Sequence, residues 1–125
     1  MSIVSDQVGA PTSARMLAEV TAEIVKQLLH EFSYRKYGTY NLVADGETSW
    51  YGYAKYVVEQ ANALGMQTKL KSANIKAIKT KDFPLPAARP ANSRLDTTKV
   101  KETFGINLPT WQSEVDLVLN ELIKT

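Results

Sequence analysis

Apolar residues recur at helical spacing in three segments of this chain, whereas only about three short stretches read as strand. That imbalance limits the architectures open to it. One stripe is Met16, Leu17, Val20, Ile24 and Leu28; a second is Trp50, Tyr53, Ala54, Val57, Val58 and Ala61; a third is Trp111, Val115, Val118, Leu119 and Leu122. Each follows the spacing of a helix that buries one face. The predicted strands are "IVSD", "TYNLVA" and the partly alternating "LKSANIKAIKT", with Ile75 and Ile78 as its apolar points. Strands alternating with helices define a mixed α/β class, but so few strands make a thin sheet. The first of them starts almost at Met1. Both points lead to the expectation of a chain that starts in the middle of a larger fold, with an exposed, sheet-forming edge at "IVSDQV".

Local signals set the element boundaries. Thr12 or Ser13 can cap the first helix, which runs to about His30. "HEFSYRKYG" reads as a polar turn ended by Gly38, and "DGE" as a tight turn. Ser49 caps the second helix and Gly65 terminates it. Asp96 is expected to cap a short helix, with Leu95 and Val100 as a hydrophobic staple and Gly105 at its end. Thr110 caps the last helix. "DFPLPAARPANSRL" carries three prolines and no periodicity, and irregular segments of this kind often carry function.

The chain has 125 residues, enough for one domain or part of one. Its 15 basic and 13 acidic residues nearly balance, which argues against a nucleic-acid partner. No apolar run is long enough to cross a membrane, and "MSIVSDQVGAPTS" lacks the regions of a signal peptide. Absence of cysteine removes thiol catalysis, disulfides and cysteine-based zinc sites. A cytoplasmic location fits. Lys69, Lys71, Lys76, Lys79 and Lys81 fall in one stretch, followed by Arg89 and Arg94. They read as a solvated face, the alternative being a lip that attracts a phosphorylated ligand.

"WYGYAK" holds Tyr51 and Lys55 at Tyr-x-x-x-Lys spacing, which on a helix brings a phenol and an ammonium to one face. Such a pair can trade a proton with a carbonyl, but only beside a hydride donor. The six glycines (9, 38, 46, 52, 65 and 105) fall into no phosphate-cradling pattern. With Trp50, Tyr53 and Val57 taken as core, Tyr51 and Lys55 lie on the flank and read as surface packing, not as catalysts. His30, the single histidine, has no serine or cysteine partner at a recognisable spacing. No protein-only metal site is read from the sequence.

Three stretches, "DQVGAPTSARMLAEVTAEIV", "GTYNLVADGETSWYGYA" and "ARPANSRLDTTKV…NLPTWQSEVDLVLNEL", together resemble the dTDP-4-dehydrorhamnose reductases, members of the extended short-chain dehydrogenase/reductases. The motifs D-Q-x-G-x-P-T, Y-N-L-V-A with a T-S-W helix start, A-x-R-P-x-N-S-x-L-D and L-P-x-W appear in family order from Asp6 to Leu122. The resemblance covers the C-terminal portion only. It implies that residues 1–125 supply the last strands of a Rossmann-like sheet plus a small α+β substrate-binding lobe. The glycine-rich cofactor loop and the catalytic Tyr-x-x-x-Lys of the family would lie in an N-terminal half that this chain lacks. Tyr51 and Lys55 match the helix after "YNLVA", which is not the family's catalytic helix.

The resemblance further implies a dTDP-sugar substrate, NADPH or NADH as cofactor of the whole enzyme with none bound by this portion, and no catalytic residue here. Arg89, Asn92 and Ser93 fall on R-P-x-N-S and are the first candidates for substrate contact, because a diphosphate suits a guanidinium fork. The alternatives are a structural salt bridge for Arg89 and a turn for Asn92. Gln7, Gly9 and Thr12 fall on D-Q-x-G-x-P-T, where the alternative is that Gly9 and Pro11 shape a turn and Thr12 caps. Trp50 and Trp111 are expected in the core. Some family members are thought to dimerise through a divalent cation. Glu121 is a candidate ligand for it, but Arg15 stands at the partner position and a metal is discounted. A homodimer remains an expectation. Relatives such as the regulatory subunit of methionine adenosyltransferase suggest a second reading, a non-catalytic nucleotide-sugar-binding or regulatory module.

Overall fold

In the computed structural model, which describes residues 1–31 and 34–124 (Tyr34 by its backbone only), four α-helices surround one core and two minimal sheets lie at its side. Strand β1 (Ser2–Val4) pairs in parallel with β4 (Lys76–Ile78), Ile3 opposite Ala77. β2 (Val8–Gly9) pairs antiparallel with β3 (Thr48–Ser49). Among the described residues β1 pairs with β4 alone. Helices α1 (Ala14–His30) and α2 (Trp50–Ala63) lie between β1 and β4 in sequence, a long crossover of the sort that parallel pairing requires. Helices α3 (Thr98–Phe104) and α4 (Trp111–Lys124) complete the chain.

Ser13, not Thr12, caps α1: its Oγ accepts from Met16 N at 3.0 Å. That hydroxyl also donates to the buried carboxylate of Glu114 on α4, tying the start of one helix to the other. Ser49 Oγ caps α2 by accepting from Gly52 N at 3.1 Å, and Thr110 Oγ1 accepts from Ser113 N at the start of α4. The core unites Met16 and Val20 of α1, Ala61 of α2, Val100 and Phe104 of α3, and Trp111, Val115 and Leu119 of α4. Tyr53 and Tyr56 of α2 meet Trp111 edge-on, with ring centroids 6.3 and 5.0 Å apart. The Tyr56 hydroxyl donates to Asp116 at 3.0 Å. Burial and then this carboxylate raise its pKa above the ordinary tyrosine value.

Several sequence expectations are corrected. "TYNLVA" forms no strand. Its end is held by isolated bonds: Ala44 N donates to Thr12 Oγ1, Asp45 N to Pro109 O, and Trp111 N to Asp45 O. A β-rich composition without a neighbouring strand leaves extended chain and no ladder. Trp50 is not core but 60% exposed. It is the first residue of α2, and side chains there tilt toward the helix N-terminus and off its end. In α4, Val118 and Leu122 face outward although they continue the stripe. No Leu95–Val100 staple forms, because α3 starts at Thr98 after Thr97. Leu95 is exposed, and Asp96 accepts from Thr98 N at 2.9 Å without being the cap. Of the turn "HEFSYRKYG", Phe32 and Ser33 lie outside the described residues.

Gly46 sits at φ +85°, and a Cβ there would lie 3.2 Å from Trp111 Cδ1. Gly65 has nearly the same φ, +86°, with open space around it. Gly65→Ala should therefore cost only the left-handed backbone term of about 1–2 kcal/mol. Gly46→Ala should cost more, since Trp111 is wedged in the core and cannot give way. Urea unfolding of the two variants checks this; equal losses would contradict it.

Candidate functional site

Val8 is the seam of the site. On one side it pairs with Ser49 through the β2–β3 ladder. On the other its N–H donates to Ala91 O at 2.8 Å and its carbonyl accepts from Ser93 N at 2.7 Å. Three stretches remote in sequence are thereby laid side by side: residues 7–11, the start of α2, and the Pro-rich segment through Ser93. They enclose a cleft of about 360 Å³ lined in part by Gln7, Gly9, Ser49, Trp50, Arg89 and Ser93. A second cavity of about 470 Å³ shares Gln7, Trp50 and Arg89 with it and adds Ile3, Phe83 and Leu85. Both volumes suit a small-molecule ligand.

Four of the six sequence candidates, Gln7, Gly9, Arg89 and Ser93, thus line one cleft. Arg89 is exposed and makes no ion pair or hydrogen bond among the described residues, so the salt-bridge alternative has no partner. Its neighbour Arg94 differs: Nε donates to Asn92 Oδ1 at 3.0 Å, and the guanidinium pairs with Glu47 at 3.0 Å. Asn92 therefore serves as the turn former that holds Arg94, and it does not line the cleft. Thr12 is likewise outside; its hydroxyl donates to Ala10 O at 3.0 Å and accepts from Ala44 N. Gly9 is close-packed but not crowded, since a Cβ would rest 3.5 Å from Ser93 Cβ, an ordinary contact.

Gln7 is oriented from below. Its Nε2 donates to Thr80 Oγ1 at 3.2 Å, and that hydroxyl donates to Asp6 Oδ1 at 2.7 Å. The Thr80 bonds, side chain first, hold the Asp6 pKa below the usual aspartate value. None of the five clustered lysines lines either cavity, which fits a solvated face. Lys55 pairs with Glu59 at 3.9 Å, and neither Tyr51 nor Lys55 lines the cleft. His30 borders a separate depression at the end of α1. Glu121 is bridged by Arg15, itself bonded to Glu19 at 3.0 Å. Among the described residues no group of three His, Cys, Asp or Glu could hold a metal, and no helix is long and apolar enough to cross a membrane.

The sequence reading missed Thr48, Ser49, Trp50, Tyr53 and Pro90 as cleft residues. The available signal was the Ser49 cap: with α2 starting at residue 50, a side chain there projects past the helix end.

The site is thus a cleft in a small α/β lobe, bordered by a guanidinium that is unpaired among the described residues. Comparisons with known proteins show the family. The family model described as RmlD substrate binding domain matches residues 1–124, and the chain belongs to that family. It is 42% identical over 125 residues to the dTDP-4-dehydrorhamnose reductase of Escherichia coli strain K12, and 39% identical to that of Burkholderia thailandensis. These alignments take in 100% and 98% of the chain but only 40% and 42% of those proteins. The chain thus spans about 40% of the length of the curated relatives it matches. Among solved structures, a Clostridium acetobutylicum dTDP-4-dehydrorhamnose reductase superposes with a TM-score of 0.77 at 27% identity, over 100% of this chain and 39% of that one. A Bacillus anthracis dTDP-4-dehydrorhamnose reductase in complex with NADP gives 0.74 at 27% identity, over 100% and 38%.

Proposed function

We propose that residues 1–125 are the C-terminal substrate-binding portion of a dTDP-4-dehydrorhamnose reductase, and that the cleft holds the dTDP-sugar. The observation that carries this reading is Arg89, a free guanidinium over a cleft whose other polar groups are an amide and hydroxyls. A diphosphate is matched by the planar fork of Arg. Gln7 and Ser93 are suited to sugar or phosphate oxygens. Asn92 and Thr12 act at one remove, Asn92 by holding Arg94 and Thr12 by fastening the Ala44 backbone.

In this reading the whole enzyme reduces the 4-keto group of dTDP-4-dehydro-L-rhamnose with NADPH or NADH, in the cytoplasm and as a homodimer. A dinucleotide pyrophosphate needs closely spaced glycines at the start of a helix. The glycines of this chain stand far apart, and those with positive φ (38, 46, 65 and 105) occupy turns and helix ends. These residues do not fit the cofactor, so its site and the catalytic Tyr-x-x-x-Lys are assigned to the N-terminal half.

Calorimetric titration of the intact protein with dTDP tests the assignment. Saturable binding is expected, and a folded protein that gives no heat with dTDP contradicts it. Binding without turnover when NADPH is supplied would favour the non-catalytic module. As a control on "WYGYAK", Tyr51→Phe should leave turnover of the intact protein within about threefold, because loss of a flanking hydroxyl has small effects. A fall of a hundredfold or more, as for a general acid, would make Tyr51 catalytic.

A further inference from the structure

We infer that Trp50 is the stacking platform for the nucleobase of the bound nucleotide, with the base on the Phe83 side of the indole and the sugar on the side that carries the Thr48, Ser49 and Ser93 hydroxyls. This rests on the substrate reading above and adds the direction in which the ligand lies. Trp50 is 60% exposed, yet its setting is fixed. It begins α2 directly after the Ser49 cap, and its ring meets Tyr53 edge-on at 6.4 Å and 77°. Tyr53 in turn abuts the core residue Trp111. A large ring held from below and open above can accept a flat partner without first being ordered.

The two cavities share a wall and present different side chains beyond it. Trp50, Gln7 and Arg89 border both. Ile3, Phe83 and Leu85 make the far side of the larger one apolar. Thr48, Ser49 and Ser93 supply hydroxyls to the other. A sugar nucleotide has the same sequence of parts: a flat base, a dianionic diphosphate and a polyhydroxylated ring. Laid with its diphosphate at Arg89, it places the base against Trp50 on the Phe83 side and the sugar among the hydroxyls. Bases stack on aromatic rings through their π faces, so the ring supplies affinity that the guanidinium cannot.

The test is calorimetry on the intact protein with dTDP and with inorganic pyrophosphate, which lacks base and sugar. Trp50→Ala should weaken dTDP about five- to a hundredfold and leave pyrophosphate unchanged. Trp50→Phe should retain most of the dTDP affinity, and Arg89→Ala should weaken both ligands. Unaltered dTDP affinity in Trp50→Ala overturns the inference while leaving the substrate reading intact; a lower melting temperature in that variant would then mark Trp50 as part of a protein contact. Equal weakening of dTDP and pyrophosphate by Trp50→Ala also overturns it, as general damage to the cleft. Failure of the unmodified protein to bind dTDP removes both readings together.

Discussion

Replacing Arg89 by alanine in the intact protein should raise the dissociation constant for dTDP by roughly ten- to a hundredfold. A charge-assisted, bidentate contact contributes about 1.5–3 kcal/mol, and each 1.4 kcal/mol is a factor of about ten in affinity. The loss should appear in binding and not in stability, because Arg89 has no partner among the described residues whose bond would be broken. Arg89→Lys should recover only part of it, since an ammonium keeps the charge without the fork. NADPH affinity should be unchanged in both variants, its site being assigned to the other half. Titration of the three proteins with dTDP and NADPH measures this. Preserved dTDP affinity with a lower melting temperature would make Arg89 a clamp on the Pro-rich segment and shift the search to Gln7 and Ser93.

The second large effect is expected at Trp111, which should lose about 3–5 kcal/mol of stability on truncation to alanine. The indole is 5% exposed, contacts Tyr53 and Tyr56, and lies beneath the Gly46 turn. Its removal leaves a cavity that helices pinned by Ser13–Glu114 and Tyr56–Asp116 cannot close. Against a typical total of about 5–15 kcal/mol, that is a large share. The indole Nε1 is buried without a hydrogen-bond partner among the described residues, and an unpaired buried donor is itself destabilising. Trp111→Phe removes that donor along with part of the ring and should cost distinctly less. Urea unfolding decides; a loss below about 1 kcal/mol in Trp111→Ala would contradict a core role.

The caps and periodic stripes were legible because they depend on neighbours three and four residues away. Ser49, Thr110, Gly65 and Gly105 behave as local rules require, and α1 ends at His30 as its stripe predicts. What failed depended on partners that a one-dimensional pattern does not contain. "TYNLVA" has the composition of a strand but no strand beside it. Trp50 fits a helical stripe yet stands where the helix begins. Leu95 and Val100 have staple spacing only if α3 starts one residue earlier than it does.

The cleft shows the same division. Arg89, Gln7, Gly9 and Ser93 could be named from motifs, because each lies in a short distinctive run. That Val8 joins these runs through bonds to Ala91 and Ser93 could not be read from the sequence, since the pairing spans more than eighty positions. Nor could the difference between the two arginines. Only the fold shows Arg94 committed to Asn92 and Glu47 while Arg89 has no partner among the described residues.

A crystal structure of the intact protein grown with dTDP shows directly where the nucleotide lies. The diphosphate is expected within hydrogen-bond distance of the Arg89 guanidinium, the thymine ring against Trp50 on the Phe83 side, and Gln7 or Ser93 facing the sugar end. A nucleotide bound elsewhere on the molecule, with Arg89 and Trp50 facing solvent, would contradict it.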